Sequence, residues 1–248
     1  MVNTPEKKVV AIIQTRLTST RLPKKVLMEI EGKPMILHVL DRLKQVKNLH
    51  EIVLAIPDTP TDDPLEEFAK AHNIAYFRGS ESNVLERHYL AAKKFDADVI
   101  VRMPSDNPCV DPKVMDVVIQ KHLDSDADYT SNIITPNFMV ELSFPVGIFA
   151  EVFNMSTLEK VYQAQTDDYE KEHATPYIYR HPELFKLQSV VAQAPLNRPE
   201  IRLTVDTQKD MDLIKEIYKN VYVPGKTFYL EDVIGFLDKH PNLITSNT

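Results

Sequence analysis

A single cysteine, Cys109, stands in a chain of 248 residues. One thiol forms no internal disulfide and no cysteine-based zinc cluster, and it suits a reducing cytoplasm. Glycine is also scarce, with five residues scattered at 32, 79, 147, 225 and 235. A P-loop or a GxGxxG turn needs its glycines in one place, so neither phosphate-binding fingerprint is present. No apolar run approaches the ~20 residues of a membrane span, and VVAII near the amino terminus is too short for a signal core. An excess of positive charge is missing too. The net charge of −7 argues against a general nucleic-acid binder. Linkers rich in Gly or Ser, internal repeats and low-complexity tracts are absent, which favours one domain over residues 1–248.

Against that background one segment is basic. Arg16, Arg21, Lys24 and Lys25 fall within ten residues that contain no acid. A basic island in an acidic protein suggests a local anion site rather than a broad electrostatic surface.

The island follows a buried-type strand, Lys8 to Thr15, and alternation continues from there. Helix spacing runs from Pro34 through Met35, Ile36, Val39, Leu40, Leu43 and Val46. Strands are expected at 51–56, 74–77 and 98–103, with helices opened by Pro64, by Val84 and by Pro112. Four strand–helix units in a row imply a mostly parallel sheet between helix layers, a Rossmann-like α/β/α sandwich. After Leu123 the pattern loosens. Strands are expected at 127–133, 147–153 and 185–192, a capping box at Ser156 and Glu159, and a helix from Asp168 towards Tyr179. IRLTVD at 201–206 reads as a strand, with helices around 211–218 and 233–237. The reading is therefore a core of about 8–125 and 185–245 with a β-rich inserted lobe of about 126–184.

Three groups carry chemistry. Arg16, Arg21, Lys24 and Lys25, with the hydroxyls of Ser19 and Thr20, follow the first strand, where open α/β sheets bind ligands. Two arginines and two lysines there can neutralise a triphosphate; a solvated basic loop is the plain alternative. Asp106 follows the fourth strand and can hold Mg²⁺ against phosphates, or else make an Asx-type turn. Asp206 ends IRLTVD and is either a helix N-cap or a second metal carboxylate. Glu172-His173 is a further candidate, with a structural histidine the simpler reading. Asp124-x-Asp126 and Asp126-x-Asp128 have the DxD spacing of glycosyltransferases but follow a helix, as a solvated turn would.

IIQTRLTSTRLPKKVL at 12–27 and GKPMILHVLDRL at 32–43 resemble the opening of the cytidylyltransferases. RGSESNVLERHY, VRMPSDNPCVDP, KEHATPYI and RLTVDTQKDMDLI continue the resemblance in the same order across most of the chain. The nearest branch is that of the spore coat polysaccharide biosynthesis protein F and the CMP-KDO synthetase-related proteins. The resemblance implies a nucleotide-diphospho-sugar transferase-like fold and transfer of CMP from CTP to an anionic sugar-type acceptor, with release of pyrophosphate. It implies that Arg16, Arg21 and Lys25 act on the triphosphate, that Asp106 and Asp206 hold Mg²⁺, and that Arg78, Ser80 and Asn83 meet the nucleoside. It also implies a cytoplasmic homodimer joined through residues 130–180.

The departures matter as much. The family's loop glycines are replaced by Thr18 and Lys24, and the glycine before Asp106 by Ser105. Val146 and Phe149 stand where acids are common, leaving Glu151. That stretch is expected to face the acceptor, with Phe149, Glu151 and His173 as acceptor-binding residues and an acceptor smaller than the common ulosonic acids. The rival readings are a nucleotide-sugar-dependent glycosyltransferase on the same fold and a degenerate nucleotide-binding protein.

Overall fold

Five consecutive apolar residues, Val9 to Ile13, are fully buried in β1 (Val9–Gln14). Their alternation splits them between two cores. Val9, Ala11 and Ile13 join one cluster, and Val10 and Ile12 the other. A strand buried on both faces is the signature of a parallel sheet between helix layers. The computed structural model describes residues 7–134, 142–164 and 167–245.

From β1 the chain passes through a 3₁₀ turn (Lys25–Leu27) and a hairpin of β2 (Glu29–Ile30) and β3 (Lys33–Pro34). Glu31 and Gly32 both have positive φ at its turn, as a two-residue hairpin loop of this twist requires. Helix α1 (Met35–Leu43) then leads to β4 (Glu51–Pro57), α2 (Asp63–Ala71) to β5 (Ala75–Gly79), and α3 (Val84–Lys94) to β6 (Val99–Pro104). β1 pairs in parallel with β4 on one side and β6 on the other, and β5 lies outside β4. The strand order therefore reverses between β1 and β6. The loops leaving the carboxyl ends of those two strands flank the switch point, where ligand crevices form in open α/β sheets.

Beyond α4 (Pro112–Leu123), β7 (Tyr129–Ser131), β8 (Glu151–Asn154) and β9 (Leu187–Ser189) complete a seven-stranded sheet in the order β5-β4-β1-β6-β8-β7-β9. β8 runs antiparallel to both neighbours. α5 (Met155–Gln163), α6 (Asp168–His173), α7 (Pro176–Arg180), α8 (Gln208–Val221), α9 (Leu230–Lys239) and α10 (Pro241–Thr245) follow. α3, α5 and α7 contribute to one core, and α1, α4, α8 and α9 to the other.

Several expectations are corrected. The β-rich lobe expected at 126–184 does not stand apart among the described residues, because β7 and β8 join the central sheet and the other regular elements there are the helices α5, α6 and α7. Residues 135–141 and 165–166, part of the expected dimer-forming segment, lie outside the described residues. Ser156 and Glu159 form no capping box, since α5 already begins at Met155. The box lies at Asp167 and Glu170 instead, and opens α6. IRLTVD alternates as a strand would, with Ile201, Leu203 and Val205 buried, yet it makes only an isolated bridge between Arg202 and Val146. The strand expected from 147 starts at Glu151. Gly147 has φ +101°, and a Cβ there would lie 2.7 Å from the Thr204 nitrogen, so the chain crosses 203–204 at close range where only glycine fits.

Candidate active site

The loop after β1 is tied down from beneath. Asp62, fully buried, accepts the Leu17 amide at 2.7 Å, and the Lys24 amide donates to the Leu17 carbonyl. Lys24 adopts the left-handed conformation (φ 58°), which turns the chain into the 3₁₀ helix and points Lys25 inward.

Lys25 is the centre of the site. Its Nζ donates to Asp106 Oδ2 at 2.8 Å, to Asp206 Oδ1 at 3.0 Å and to the Val205 carbonyl at 2.5 Å. Three acceptors match the three donors of an ammonium on a side chain only 10% exposed. The two aspartates singled out in the sequence, a hundred residues apart, thus converge on one cation. Arg21 reaches Asp206 Oδ1 at 2.8 Å from the solvent side, and Arg202 holds Asp206 Oδ2 at 2.6 Å. Asp206 is not an N-cap. Thr207 caps α8 in a box with Asp210, whose Oδ2 also accepts the Asp206 amide at 2.9 Å. The helix start therefore positions Asp206 without consuming its carboxylate.

Arg21, Lys25, Asp106 and Asp206 border a cavity of about 240 Å³ that Gln14, Thr15, Arg16, Ser19, Ser105, Val84, Arg87, Glu172 and His173 also line. Arg87, 3% exposed, escaped the sequence reading. A guanidinium interrupting the buried stripe Val84, Leu85, His88 was its only signal. Burial, reinforced by repulsion from Arg16, lowers Arg87 to about 10, so it stays protonated at neutral pH. Arg87 Nε and Thr15 Oγ1 are buried without a hydrogen-bond partner among the described residues. Lys25, Arg21 and Arg202 share the two aspartates, whereas among the described residues no carboxylate pairs with Arg16 or Arg87. The cavity is thus provisioned for an anion.

Gln14 was also missed, because its value depends on a partner 88 residues away. Arg102 donates to Gln14 Oε1 from Nε at 3.3 Å and from Nη2 at 3.1 Å. A guanidinium is only a donor, so the amide oxygen must face it and the Gln14 NH₂ is left for the cavity.

Other expected residues lie elsewhere. Arg78 does not line the cavity. It binds Asp63 at 2.8 Å, Glu66 at 2.6 Å and the Thr59 carbonyl at 2.8 Å. Thr59 Oγ1 donates to Asp62, so Arg78 braces the foundation of the loop. Ser80 accepts the Asn83 amide, and Asn83 N-caps α3 by accepting the Glu86 amide at 3.0 Å. Both aim Arg87 rather than line the cavity. Glu151 is 2% exposed, paired with Arg102 at 2.5 Å and accepting the Tyr129 hydroxyl at 2.7 Å. The antiparallel register sets Glu151 opposite Arg102, which turns the carboxylate into the sheet. Phe149 and Val146 are half-buried and also outside the cavity lining. The expectation of a small acceptor, which rested on them, therefore loses its basis.

His173 does line the cavity, at the end of α6 and packed on Tyr169 with ring centroids 4.4 Å apart. Burial lowers its pKa, against the pull of Glu172, so it is neutral at pH 7. Cys109 is no nucleophile, since burial raises its thiol to about 12. The DxD-spaced aspartates lie outside the cavity, with Asp126 bound to Lys186 and Asp128 accepting the Lys186 amide.

The profile of the cytidylyltransferase family matches residues 10–229. The chain belongs to the cytidylyltransferase family. The spore coat polysaccharide biosynthesis protein SpsF of Bacillus subtilis is 37% identical to this cytidylyltransferase over 94% of its chain and 95% of the relative. A cytidylyltransferase structure from Leptospira borgpetersenii aligns at TM-score 0.88 and 31% identity over 98% of both chains. CMP:2-keto-3-deoxy-manno-octonic acid synthetase in complex with CTP aligns at TM-score 0.64 and 19% identity, over 86% of this chain and 98% of that one. A Mycobacterium tuberculosis protein of the same fold, at 13% identity and TM-score 0.58 over 84% and 98% of the two chains, is in complex with manganese. Both of the last two show the shared nucleotide-diphospho-sugar transferase-like fold. No helix among the described residues of this cytidylyltransferase is long and apolar enough to cross a membrane.

Proposed function

We propose that the enzyme transfers CMP from CTP to an anionic sugar-type acceptor, a sugar acid or a sugar or polyol phosphate, and releases pyrophosphate. The observation that carries this reading is the convergence of Asp106 and Asp206 on Lys25, beside two guanidiniums with no carboxylate partner among the described residues. An acceptor oxygen bonds to the α-phosphorus, the α–β phosphoanhydride bond breaks, and pyrophosphate leaves with the electron pair. Such displacements depend on positioning and charge neutralisation. Arg16, Arg21 and Ser19 hold the β- and γ-phosphates and steady the leaving group, and Lys25, whose three donors are taken by Asp106, Asp206 and the Val205 carbonyl, adds positive charge beside them. Arg87 faces the same anion from α3.

The donor set fits Mg²⁺. Asp106 and Asp206 offer hard oxygen ligands and would hold the ion between the loops after β1 and β6. No cluster of three or more His, Cys, Asp and Glu side chains among the described residues forms a closed cage. Bound there, the ion would neutralise triphosphate charge.

On the acceptor side Gln14 presents its NH₂, and His173 presents a neutral imidazole. A carboxylate or phosphate acceptor is already ionised and needs no base; a hydroxyl acceptor would give its proton to His173. The kinship with SpsF supports a place in surface polysaccharide or glycoconjugate synthesis; we infer a cytoplasmic location from the single cysteine, and a homodimer joined through residues 130–180 from the family resemblance alone. The test is pyrophosphate release on mixing the enzyme with CTP, Mg²⁺ and a panel of sugar acids and sugar phosphates. Release with at least one acceptor, and none from CTP alone, is expected. CTP-independent consumption of a nucleotide sugar would overturn the reading.

A further inference from the structure

A second recess, of about 220 Å³, lies between α1, the end of α8 and residues 225–228, and shares no lining residue with the catalytic cavity. Four cations line it, Lys33, Arg42, Lys44 and Lys226, against a single acid, Asp41. Asp41 is already shared by Lys33 and Lys44. Arg42 is 6% exposed, and no carboxylate among the described residues reaches it. Its Nε donates to the Val110 carbonyl at 2.6 Å and its Nη2 to the Phe228 carbonyl at 2.9 Å, with the guanidinium 3.9 Å above the Phe228 ring. Nη1 has no protein acceptor among the described residues. A buried guanidinium normally sits against a carboxylate or another anion, because its desolvation is otherwise uncompensated. This one has unused donors, a recess beside it and three lysines around it.

We propose that this recess binds a small phosphate-bearing anion and that the occupant regulates the enzyme. Arg42 donates from Nη1, Lys44 and Lys226 supply charge at the rim, and the half-buried ring of Tyr222 gives an apolar wall to the remainder of a phosphate ester. The route to the catalytic cavity is short. Arg42 holds the Val110 carbonyl and the Tyr218 hydroxyl holds the Pro108 carbonyl at 2.6 Å, so both tether the loop that begins at Asp106. An anion that draws Arg42 towards the recess acts on that loop, and through it on the carboxylate bound to Lys25.

The test is a titration of the full-length, ¹⁵N-labelled protein with inorganic phosphate and then glycerol phosphate, followed by backbone amide shifts. The Tyr222 and Thr227 amides should move saturably, and those of Cys109 and Val110 should move with them. The double substitution Lys44→Glu with Lys226→Glu should weaken binding by at least roughly tenfold, and both side chains are exposed, so folding is not at stake. Arg42→Lys, which keeps the charge and loses the fork, should weaken it as well. Absence of saturable shifts at Tyr222 and Thr227, equal affinity in the double variant, or shifts confined to residues 15–25 would each overturn the proposal. None of these outcomes depends on catalysis, so failure here leaves the cytidylyltransfer reading intact.

Discussion

Lys25 does at residue scale what the sequence could only hint at. It was legible as one of four cations in a loop. Its role as the tie between two carboxylates depends on contacts across 81 and 181 residues. Lys25→Gln leaves Asp106 and Asp206 facing one another without a shared cation, and like charges so close repel. CTP affinity measured by calorimetry should fall by about 10² or more, the usual cost of losing one preorganised charged contact. Affinity within a few-fold of wild type would remove Lys25 from the phosphate site. Arg87 and Gln14 were invisible for a related reason. Their neighbours place them at the cavity, and pattern reading along one helix or strand sees only a charge or an amide on a buried face.

At the scale of elements, the apolar runs and proline-opened helices located β1, β4 and β6 and the helices between them, because strands buried on both faces have no polar alternation to confuse the reading; β5, a half-buried edge strand, was legible from the short apolar and aromatic run at 74–77. The second half was less legible. β7, β8 and β9 are short, and IRLTVD alternates without ever joining the sheet, since alternation reports burial and not hydrogen-bond partners. The loop glycine replaced by Lys24 now has a backbone explanation, because Lys24 sits at φ 58°. A left-handed conformation costs an L-residue about 1–2 kcal/mol, partly offset by the extra chain freedom of an unfolded glycine. Lys24→Gly should therefore raise the urea midpoint by an amount equivalent to about 0.5–1 kcal/mol. CTP affinity should stay unchanged, because Lys24 lies outside the cavity lining. A large loss of affinity would show that its charge, and not only its turn, serves the phosphates.

For the whole molecule, the two cores set the response to acid. His88 is fully buried, with Nδ1 bonded to the Val84 carbonyl at 2.9 Å and Nε2 without a partner, and burial lowers it to about 3. His122 is lowered to about 4, again chiefly by burial. Both lie below the ordinary 6.5, so the unfolded chain binds the extra protons. The stability they confer is complete above pH 6.5 and is lost as pH falls towards 4 and 3, by up to about 1.4 kcal/mol per histidine per pH unit. Urea midpoints across that range should fall less steeply for His88→Leu than for wild type; parallel curves would contradict the assignment. At the sheet's switch point, loops from opposite ends of the sequence build one cavity, proposed above to hold the triphosphate. Calorimetry of CTP with Mg²⁺, on wild type and on Asp106→Asn with Asp206→Asn, tests that proposal most directly. Mg²⁺-dependent binding by the wild type is expected, with its loss in a double variant that circular dichroism shows still folded at the assay temperature, because Lys25 loses both carboxylates and the melting temperature falls. Equal, Mg²⁺-independent binding by both proteins would contradict it.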